Sequence, residues 1–370
     1  MTWMVANRPG RPAYPKNCGR SNRKLFDPVY CPACVAASSP GRYGPAVLTA
    51  TEGSVEVVPI PNGRFKVTLK PHDRNAFIPR RSCETSLPLD VISSFLDASF
   101  SHLCDSLARL EDPEYVRKVL GTQLLAYFDE ADFRGKRLLD FGCGQGASTL
   151  WLGAMLPETE ILGVELDPAR IELAERVLAA RSLPNVRFLV SPDAKSLPAE
   201  MGMFDFVMLS AVYEHLLPAE RRRVIPLIWS KLKLGGTLFI NQTPYRYFPY
   251  EHHTTGLWFV NYLPDKLSLF LSRHLSRMNP EATRSPDWNV HLRAGIRGGT
   301  EREILRDLRR AGGRGAVLQP KDRDRAVYWL EGTSQRYRPI KKAIAQFFRT
   351  TDRLWGTVPS MNLDVAIRKT

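Results

Sequence analysis

The chain has 370 residues, of which 44% are hydrophobic and 24% charged, and these proportions are typical of a folded protein with a sizeable core. No apolar run approaches the ~20 residues that a membrane-spanning helix needs, and the first residues lack the basic and then apolar pattern of a secretory signal. We therefore expect a cytoplasmic protein. The formal net charge of +14 leaves anionic partners open, from nucleic acid to a membrane surface.

Residues 1–88 form a proline-rich segment that contains twelve of the chain's 28 prolines, so it cannot be one long helix. Three β-branched runs, Val47–Ala50, Val55–Pro59 and Phe65–Leu69, predict a small sheet, and Pro61-Asn62-Gly63 predicts the turn between the last two. We interpret the segment as a separate unit, either a small β module or a zinc-binding module.

The zinc interpretation depends on Cys31 and Cys34, whose C-x-x-C spacing lets two thiolates reach one metal ion. Cys18, His72 or Cys83 could supply further ligands, but the sequence has no second C-x-x-C pair. The alternatives are reduced thiols that bind no metal and a redox-active pair.

After this segment, apolar residues recur at helical spacing from Val91 to Leu107 and again from Tyr115 to Phe128. They predict two amphipathic helices. These helices either cover a ligand or pack against the fold without contacting one.

The stretch Leu138–Gly146 then combines an apolar strand, the acid Asp140 and glycines at every second position, Gly142, Gly144 and Gly146. Glycines beyond a buried strand let the backbone turn tightly and approach a ligand where a Cβ atom would collide. The residues that follow are helical in pattern, and the first N–H groups of a helix favour anionic ligands. The alternative is an ordinary tight turn between a strand and a helix.

Strands and helices alternate from this motif onward, which predicts an α/β fold with a doubly wound, Rossmann-like parallel sheet. The second predicted strand runs into Glu165, the third into Asp193 and Ala194, and the fourth ends at Ser210. The predicted strands after the first are Ile161–Val164, Val186–Val190, Phe204–Ser210, Leu232–Ile240, Ala316–Gln319 and Leu363–Arg368. The predicted helices are Pro168–Arg181, Pro218–Leu232 and Thr300–Ala311.

This order of motifs resembles the class I S-adenosylmethionine-dependent methyltransferases, and the resemblance covers residues 89–370. It implies an enzyme whose cofactor is S-adenosyl-L-methionine. In that family the acid that ends the second strand accepts hydrogen bonds from the ribose hydroxyls, and the turn after the third strand contacts the adenine. The resemblance therefore implies a cofactor site formed by Asp140, Gly142, Gly144, Gly146, Glu165, Asp193, Ala194 and Ser210.

Three histidines are candidates to accept a proton during methyl transfer. His215 follows the fourth strand, where many relatives carry a similar Glu-His pair, and its ordinary pKa of about 6.5 suits a general base. His252 and His253 lie in residues 242–298, an aromatic-rich insertion after the fifth strand that we interpret as the acceptor pocket. The alternatives are a structural role for His215 and a plain surface excursion for the insertion. A metal ion held by adjacent His252 and His253 is disfavoured, because neighbouring side chains point in different directions.

The charge is unevenly distributed along the chain. Residues 221–370 contain 28 basic and 12 acidic side chains, whereas residues 91–220 contain 11 and 20. We expect O-methylation of a small-molecule, glycan or lipid-linked acceptor. The basic side chains indicate an acceptor with an anionic group, and the alternative is a solvated helix face paired with nearby acids; contact with a membrane surface is left open. An RNA-directed enzyme or nucleic-acid-binding protein is the alternative, although Ser210-Ala211-Val212-Tyr213 replaces the Asn/Asp-Pro-Pro-Tyr motif of base-modifying relatives. A non-catalytic member of the fold is a further alternative, and the sequence does not indicate an oligomeric state.

Overall fold

The computed structural model describes residues 44–74, 76, 78–111, 121–181, 183–193, 196–321 and 338–370. Within these ranges, no helix has both the length and the apolar character needed to cross a bilayer. Cys18, Cys31 and Cys34 lie outside the described residues, as does Ala194.

The strands of the described residues belong to three sheets. In chain order they are β1 (Ala46–Ala50), β2 (Gly53–Ile60), β3 (Arg64–Pro71), β4 (Ser82–Thr85), β5 (Arg137–Phe141), β6 (Glu160–Glu165), β7 (Val186–Val190), β8 (Phe204–Ser210), β9 (Leu232–Pro244), β10 (Tyr250–Glu251), β11 (Leu257–Trp258), β12 (Gly315–Val317) and β13 (Asn362–Lys369).

The α-helices of the same residues connect and cover these sheets. They are α1 (Leu89–Ala98), α2 (Leu103–Glu111), α3 (Ala147–Met155), α4 (Pro168–Arg181), α5 (Pro218–Ser230), α6 (Asp265–Leu275), α7 (Pro280–Thr283), α8 (Trp288–Arg293), α9 (Glu301–Arg310) and α10 (Arg338–Trp355). Of the second predicted N-terminal helix, the structure describes one π-helical turn at Gly121–Leu125, and residues 112–120 lie outside the described ranges.

The central sheet confirms the predicted α/β class. Its order is β12-β13-β9-β8-β5-β6-β7, and the five strands from β9 to β7 are parallel. Helices α3, α4 and α5 connect β5 to β6, β6 to β7 and β8 to β9. Strand β13 is antiparallel to β9, and β12 is antiparallel to β13. The order reverses between β5 and β8, and ligands of such sheets bind at the carboxyl ends of the strands at this point.

The predicted small sheet is confirmed as the antiparallel meander β1-β2-β3-β4. Pro61–Gly63 forms the turn between β2 and β3, where Asn62 and Gly63 both adopt positive φ. One face buries Val55, Val57 and Val67 against the helical layer, as the alternating pattern requires. The division of the chain at residue 88 stays a prediction.

An aromatic cluster fills the space between β5, β8, β9 and the turn that precedes β5. Phe133 is fully buried, its ring centroid lies 4.4 Å from that of Phe206, and Phe128 packs edge-on to both rings. Phe239 on β9 completes the cluster. Aromatic rings at these distances stabilise a core beyond their buried area.

We expect Phe133→Ala to lower the free energy of unfolding by about 3–5 kcal/mol, because it leaves a cavity in this cluster. Phe347→Ala is the matched control, since the Phe347 side chain on α10 is 56% exposed. Urea titration of both variants measures the difference. Equal stabilities would contradict the assignment of the cluster to the core.

Candidate functional site

A cavity of about 360 Å³ lies at the switch point of the central sheet. Its lining includes six residues that the sequence had singled out: Asp140, Gly142, Gly144, Glu165, Ser210 and His215. A larger groove of about 1130 Å³ lies between α9, β12 and α10, away from these motifs. Because the strand order and the glycine loop both point to the smaller cavity, it is the candidate cofactor site.

The glycine loop adopts left-handed backbone conformations at all three glycines. A Cβ atom on Gly142 would lie 2.6 Å from Val212, and one on Gly146 would lie 2.6 Å from Phe188, so packing excludes side chains there. A Cβ atom on Gly144 would lie no closer than 3.8 Å to another residue. Of the three glycines, Gly144 therefore leaves open the space that a ligand would fill.

Two acids lie beside this loop. The Glu165 carboxylate accepts hydrogen bonds from the N–H groups of Gly144 at 3.0 Å and Leu166 at 2.7 Å. Each carboxylate oxygen can accept a further hydrogen bond, so Glu165 still suits ribose hydroxyls. Asp140 accepts a hydrogen bond from Thr149 Oγ1 at 2.6 Å, and burial raises the pKa of its carboxyl group to about 6. Asp140 thereby ties β5 to the first turns of α3.

The carboxyl ends of β8 and β9 form the opposite wall of the cavity. Ser210 Oγ is buried and has no hydrogen-bond partner in the described part of the chain, so a polar ligand atom would satisfy it. Ala211 and Gln242 adopt positive φ, which is uncommon for residues other than glycine. The Gln242 N–H donates to Asp364 Oδ1 at 2.8 Å, which holds this conformation.

Helix α2 supplies cavity residues that the sequence analysis did not identify. Arg109 donates to Asp105 at 2.9 Å and to Ser148 Oγ at 3.3 Å, and so connects α2 to the start of α3. His102 also lines the cavity, and burial lowers the pKa of its imidazole. The spacing of Asp105 and Arg109, one helical turn apart, could have indicated these cavity residues in the sequence. The same spacing is equally typical of an ion pair on a protein surface.

Asp193 is exposed, and its carboxylate accepts hydrogen bonds from the N–H and the Oγ of Ser196. It is not among the residues that line the cavity, and Ala194 beside it lies outside the described residues. The predicted adenine contact of this turn stays a prediction.

Glu214 and His215 are buried between the cavity and the insertion. The Nδ1 atom of His215 lies 2.7 Å from the carbonyl oxygen of Arg293, and because a carbonyl only accepts, Nδ1 carries the proton and Nε2 carries a lone pair. Burial lowers the pKa of His215 well below its ordinary value. Burial also raises the pKa of Glu214 to about 7, while Thr243 Oγ1 donates to Glu214 Oε2 at 2.8 Å.

The insertion places His253 against this pair, with the two imidazole centroids 5.5 Å apart. Its Nδ1 donates to the Ala294 carbonyl at 3.0 Å, and burial lowers its pKa. Glu251 holds the turn, since its buried carboxylate accepts from the N–H groups of His253, Thr254 and Thr255.

His252 does not line the cavity among the described residues. Burial lowers the pKa of its imidazole, and a hydrogen bond with the Asn362 side chain partly offsets this effect. Of the three predicted histidines, the structure brings His215 and His253 together and leaves His252 apart from them.

The zinc prediction receives no support. Cys31 and Cys34 are outside the described ranges, and the Cys83 thiol is buried beside Cys104, which raises its pKa. A protonated thiol is a poor metal ligand.

The comparisons with known proteins agree with this geometry. The model of a methyltransferase domain family matches residues 138–236, from the first residues of the glycine motif to the start of β9. A malonyl-[acyl-carrier protein] O-methyltransferase from Paenibacillus is 29% identical over 128 residues, which cover 33% of this chain and 46% of that protein. A carboxy-S-adenosyl-L-methionine synthase from Chromohalobacter salexigens is 29% identical over 164 residues, which cover 42% of this chain and 58% of that protein.

These curated matches are partial, and the chain spans from 20% to 58% of the relatives' lengths. Among solved structures, an O-methyltransferase family protein from Burkholderia thailandensis has a TM-score of 0.38 and 19% identity. That alignment covers 61% of this chain and 58% of the other. The fold assignment rests on the observed strand order instead.

We expect Gly144→Val to weaken binding of S-adenosylmethionine at least about tenfold, or ~1.4 kcal/mol, because the side chain would fill the cavity. Gly135→Val is the matched control, since Gly135 also has positive φ and open space around it but precedes β5 at the other edge of the sheet. Isothermal titration calorimetry compares the two. Equal losses would show that backbone strain, and not the cavity, causes the effect.

The matched family model, the glycine loop and the reversal of strand order coincide at β5, β6 and β8. Residues 138–236 therefore match a methyltransferase domain, with the strand order and glycine loop typical of class I S-adenosylmethionine-dependent enzymes.

Proposed function

We propose that this protein transfers the methyl group of S-adenosylmethionine to a hydroxyl group of a small-molecule, glycan or lipid-linked acceptor. The observation that carries the proposal is the contact between His215, which lines the cofactor cavity, and His253, which the insertion supplies. When bound, the cofactor supplies an electrophilic methyl carbon. The chain must then position the acceptor oxygen, exclude water and receive or displace a proton.

The two imidazoles suit the handling of that proton. Both donate Nδ1–H to backbone carbonyls, which leaves both Nε2 lone pairs available. Burial keeps their pKa values low, so both rings are neutral at pH 7. A polar cluster at the inner end of an acceptor pocket favours a hydroxyl acceptor over an apolar carbon.

The insertion also carries a cluster of aromatic rings that fits an acceptor surface. Tyr247, Trp258, Phe259 and Tyr262 are each about half exposed or more, and neighbouring ring centroids lie about 6 Å apart. Exposed aromatic clusters are typical of binding surfaces, and such rings pack against the apolar faces of sugars and lipids.

The comparisons do not bear on the acceptor. The matched family model ends at residue 236, before the insertion begins. The relatives' names include an O-methyltransferase of a malonyl carrier protein and a ribosomal protein L11 methyltransferase, so a shared cofactor half accompanies different acceptors. The acceptor must therefore be sought in contacts of residues 242–298.

The larger groove supports an anionic group on the acceptor. Its lining contains Arg302, Arg306, Arg309, Arg349 and Arg353, against the acids Glu303 and Asp352. Glu303 already pairs with Arg246 at 2.9 Å. Guanidinium groups match phosphate and carboxylate geometry, so we assign this groove to an anionic portion of the acceptor. An RNA acceptor would use the same charges, and label from the methyl donor entering RNA of a cell extract would favour it.

We expect His215→Ala to lower turnover about 100-fold to 10,000-fold while affinity for S-adenosylmethionine stays unchanged. His252→Ala should change turnover little.

Because the pKa of His215 is lowered, the wild-type rate should stay level above about pH 7 and decline only below the ordinary imidazole pKa of about 6.5. Transfer of labelled methyl groups to an acceptor isolated from extract measures the turnover of both variants and the pH dependence of the wild-type rate. Full turnover of His215→Ala would refute this role.

We expect Arg306→Gln and Arg309→Gln to raise the KM of that acceptor, and the KM of the wild type to rise with salt, because exposed charges are screened within ~10 Å at ~0.1 M salt. Arg134→Gln is the control, since Arg134 is exposed before β5 and pairs with Glu158. A KM that is independent of both salt and these arginines would contradict the anionic acceptor.

A further inference from the structure

We propose that Glu214, His215 and His253 bind one divalent transition-metal ion beside the cofactor cavity. One potential ligand atom from each of the three side chains lies within 4.8 Å of the other two. Ligand atoms around a tetrahedral ion at ~2.0–2.1 Å are roughly 3.4 Å apart, so shifts of about 1 Å would complete the coordination.

The hydrogen bonds of the two histidines determine which ring nitrogen of each is free to bind an ion. The Nδ1–H group of His215 donates to the carbonyl of Arg293, and that of His253 donates to the carbonyl of Ala294. Each Nε2 is therefore unprotonated and available as a ligand. His215 Nε2 lies 3.8 Å from Glu214 Oε1, too far for a hydrogen bond but suitable for two atoms that share an ion.

All three side chains have the outer partners that metal ligands typically have. Metal-binding imidazoles usually donate their second N–H to a carbonyl or carboxylate, and ligating carboxylates are themselves hydrogen-bonded. Here consecutive carbonyls after α8 orient both rings, and Thr243 fixes the second oxygen of Glu214. Gly295 allows this close approach, because a Cβ atom there would lie 2.8 Å from His253 Nδ1 and 3.2 Å from Glu214 Cγ.

The unsatisfied oxygen of Glu214 is the second and independent observation. Its side chain is fully buried, and Oε1 has no hydrogen-bond partner among the described residues. An unpaired buried carboxylate oxygen is costly while the group is ionised, and without a partner the group is driven to take up a proton. A cation beside Oε1 would satisfy this oxygen and keep the carboxylate ionised, whereas simple packing of the three side chains would not.

Two imidazoles and one carboxylate favour first-row ions such as Zn²⁺, Fe²⁺ or Mn²⁺ and leave coordination positions open. This part of the inference rests on the proposed function: an acceptor hydroxyl in an open position would have a lowered pKa and lose its proton more readily at neutral pH. In the metal-bound protein both Nε2 lone pairs would be engaged by the ion, so the hydroxyl proton would pass to solvent; in metal-free protein the imidazoles would accept it as proposed above.

The test is metal analysis of the full chain, purified without a polyhistidine tag, incubated with Zn²⁺ and dialysed. We expect about one equivalent of zinc in the wild type, and under about a tenth in His253→Ala and His215→Ala. His252→Ala and the double variant Cys31→Ser, Cys34→Ser should retain the metal, which separates this site from the cysteine pair. Glu214→Gln, which keeps the shape of the side chain, should bind zinc at least tenfold more weakly.

Two outcomes would overturn the inference: wild-type protein that binds no Zn²⁺, Fe²⁺ or Mn²⁺, or a His253→Ala variant that is folded by circular dichroism and retains a full equivalent. Substitution with Co²⁺ gives an independent readout, because a protein-bound ion with imidazole ligands absorbs visible light. Metal binding without methyl transfer would leave the site intact and refute the proposed function. Methyl transfer by metal-free protein at the wild-type rate would refute the catalytic part alone.

Discussion

The site depends on a backbone constraint at the carboxyl ends of three neighbouring strands. Gly142 after β5, Ala211 after β8 and Gln242 in β9 all adopt positive φ. For Ala211 and Gln242 this conformation costs roughly 1–2 kcal/mol per residue. Surrounding bonds offset it, since Ala211 N–H donates to the Asn241 carbonyl and Gln242 N–H to Asp364.

This constraint couples the antiparallel strand β13 to the cofactor cavity. Asp364 lies on β13, and burial raises the pKa of its carboxyl group to about 7 while its bond to Gln242 lowers it. A buried carboxyl group whose pKa lies close to neutral pH is unusual, and here it positions Gln242, a residue of the cavity wall. The last strand of the chain thus contributes to a site whose glycine loop lies more than 200 residues earlier.

A second set of contacts joins the parallel sheet to the insertion. The end of α8 contacts both His215 and His253 through consecutive carbonyls, and Arg293 also pairs with Glu220 on α5. The insertion is therefore fixed to the sheet beside the cavity that His215 lines. Arg221, one of the 28 basic residues in 221–370, is buried over the Tyr213 ring and donates to the Leu216 and Glu214 carbonyls. Its charge supports the same loop and is not available to an acceptor.

The sequence by itself determined the local elements and the cofactor half. Periodicity and glycine spacing are local properties, and they sufficed for the strands that end at Phe141, Glu165, Val190 and Ser210 because each apolar run is short and ends in polar or turn residues. Only the tertiary structure decided which distant side chains meet. Arg109 enters the cavity wall, His253 reaches His215 while adjacent His252 does not, and Glu214 keeps an unsatisfied oxygen. These outcomes depend on how the insertion folds back over the sheet, and contacts between residues far apart in the chain leave no periodic signal in the sequence.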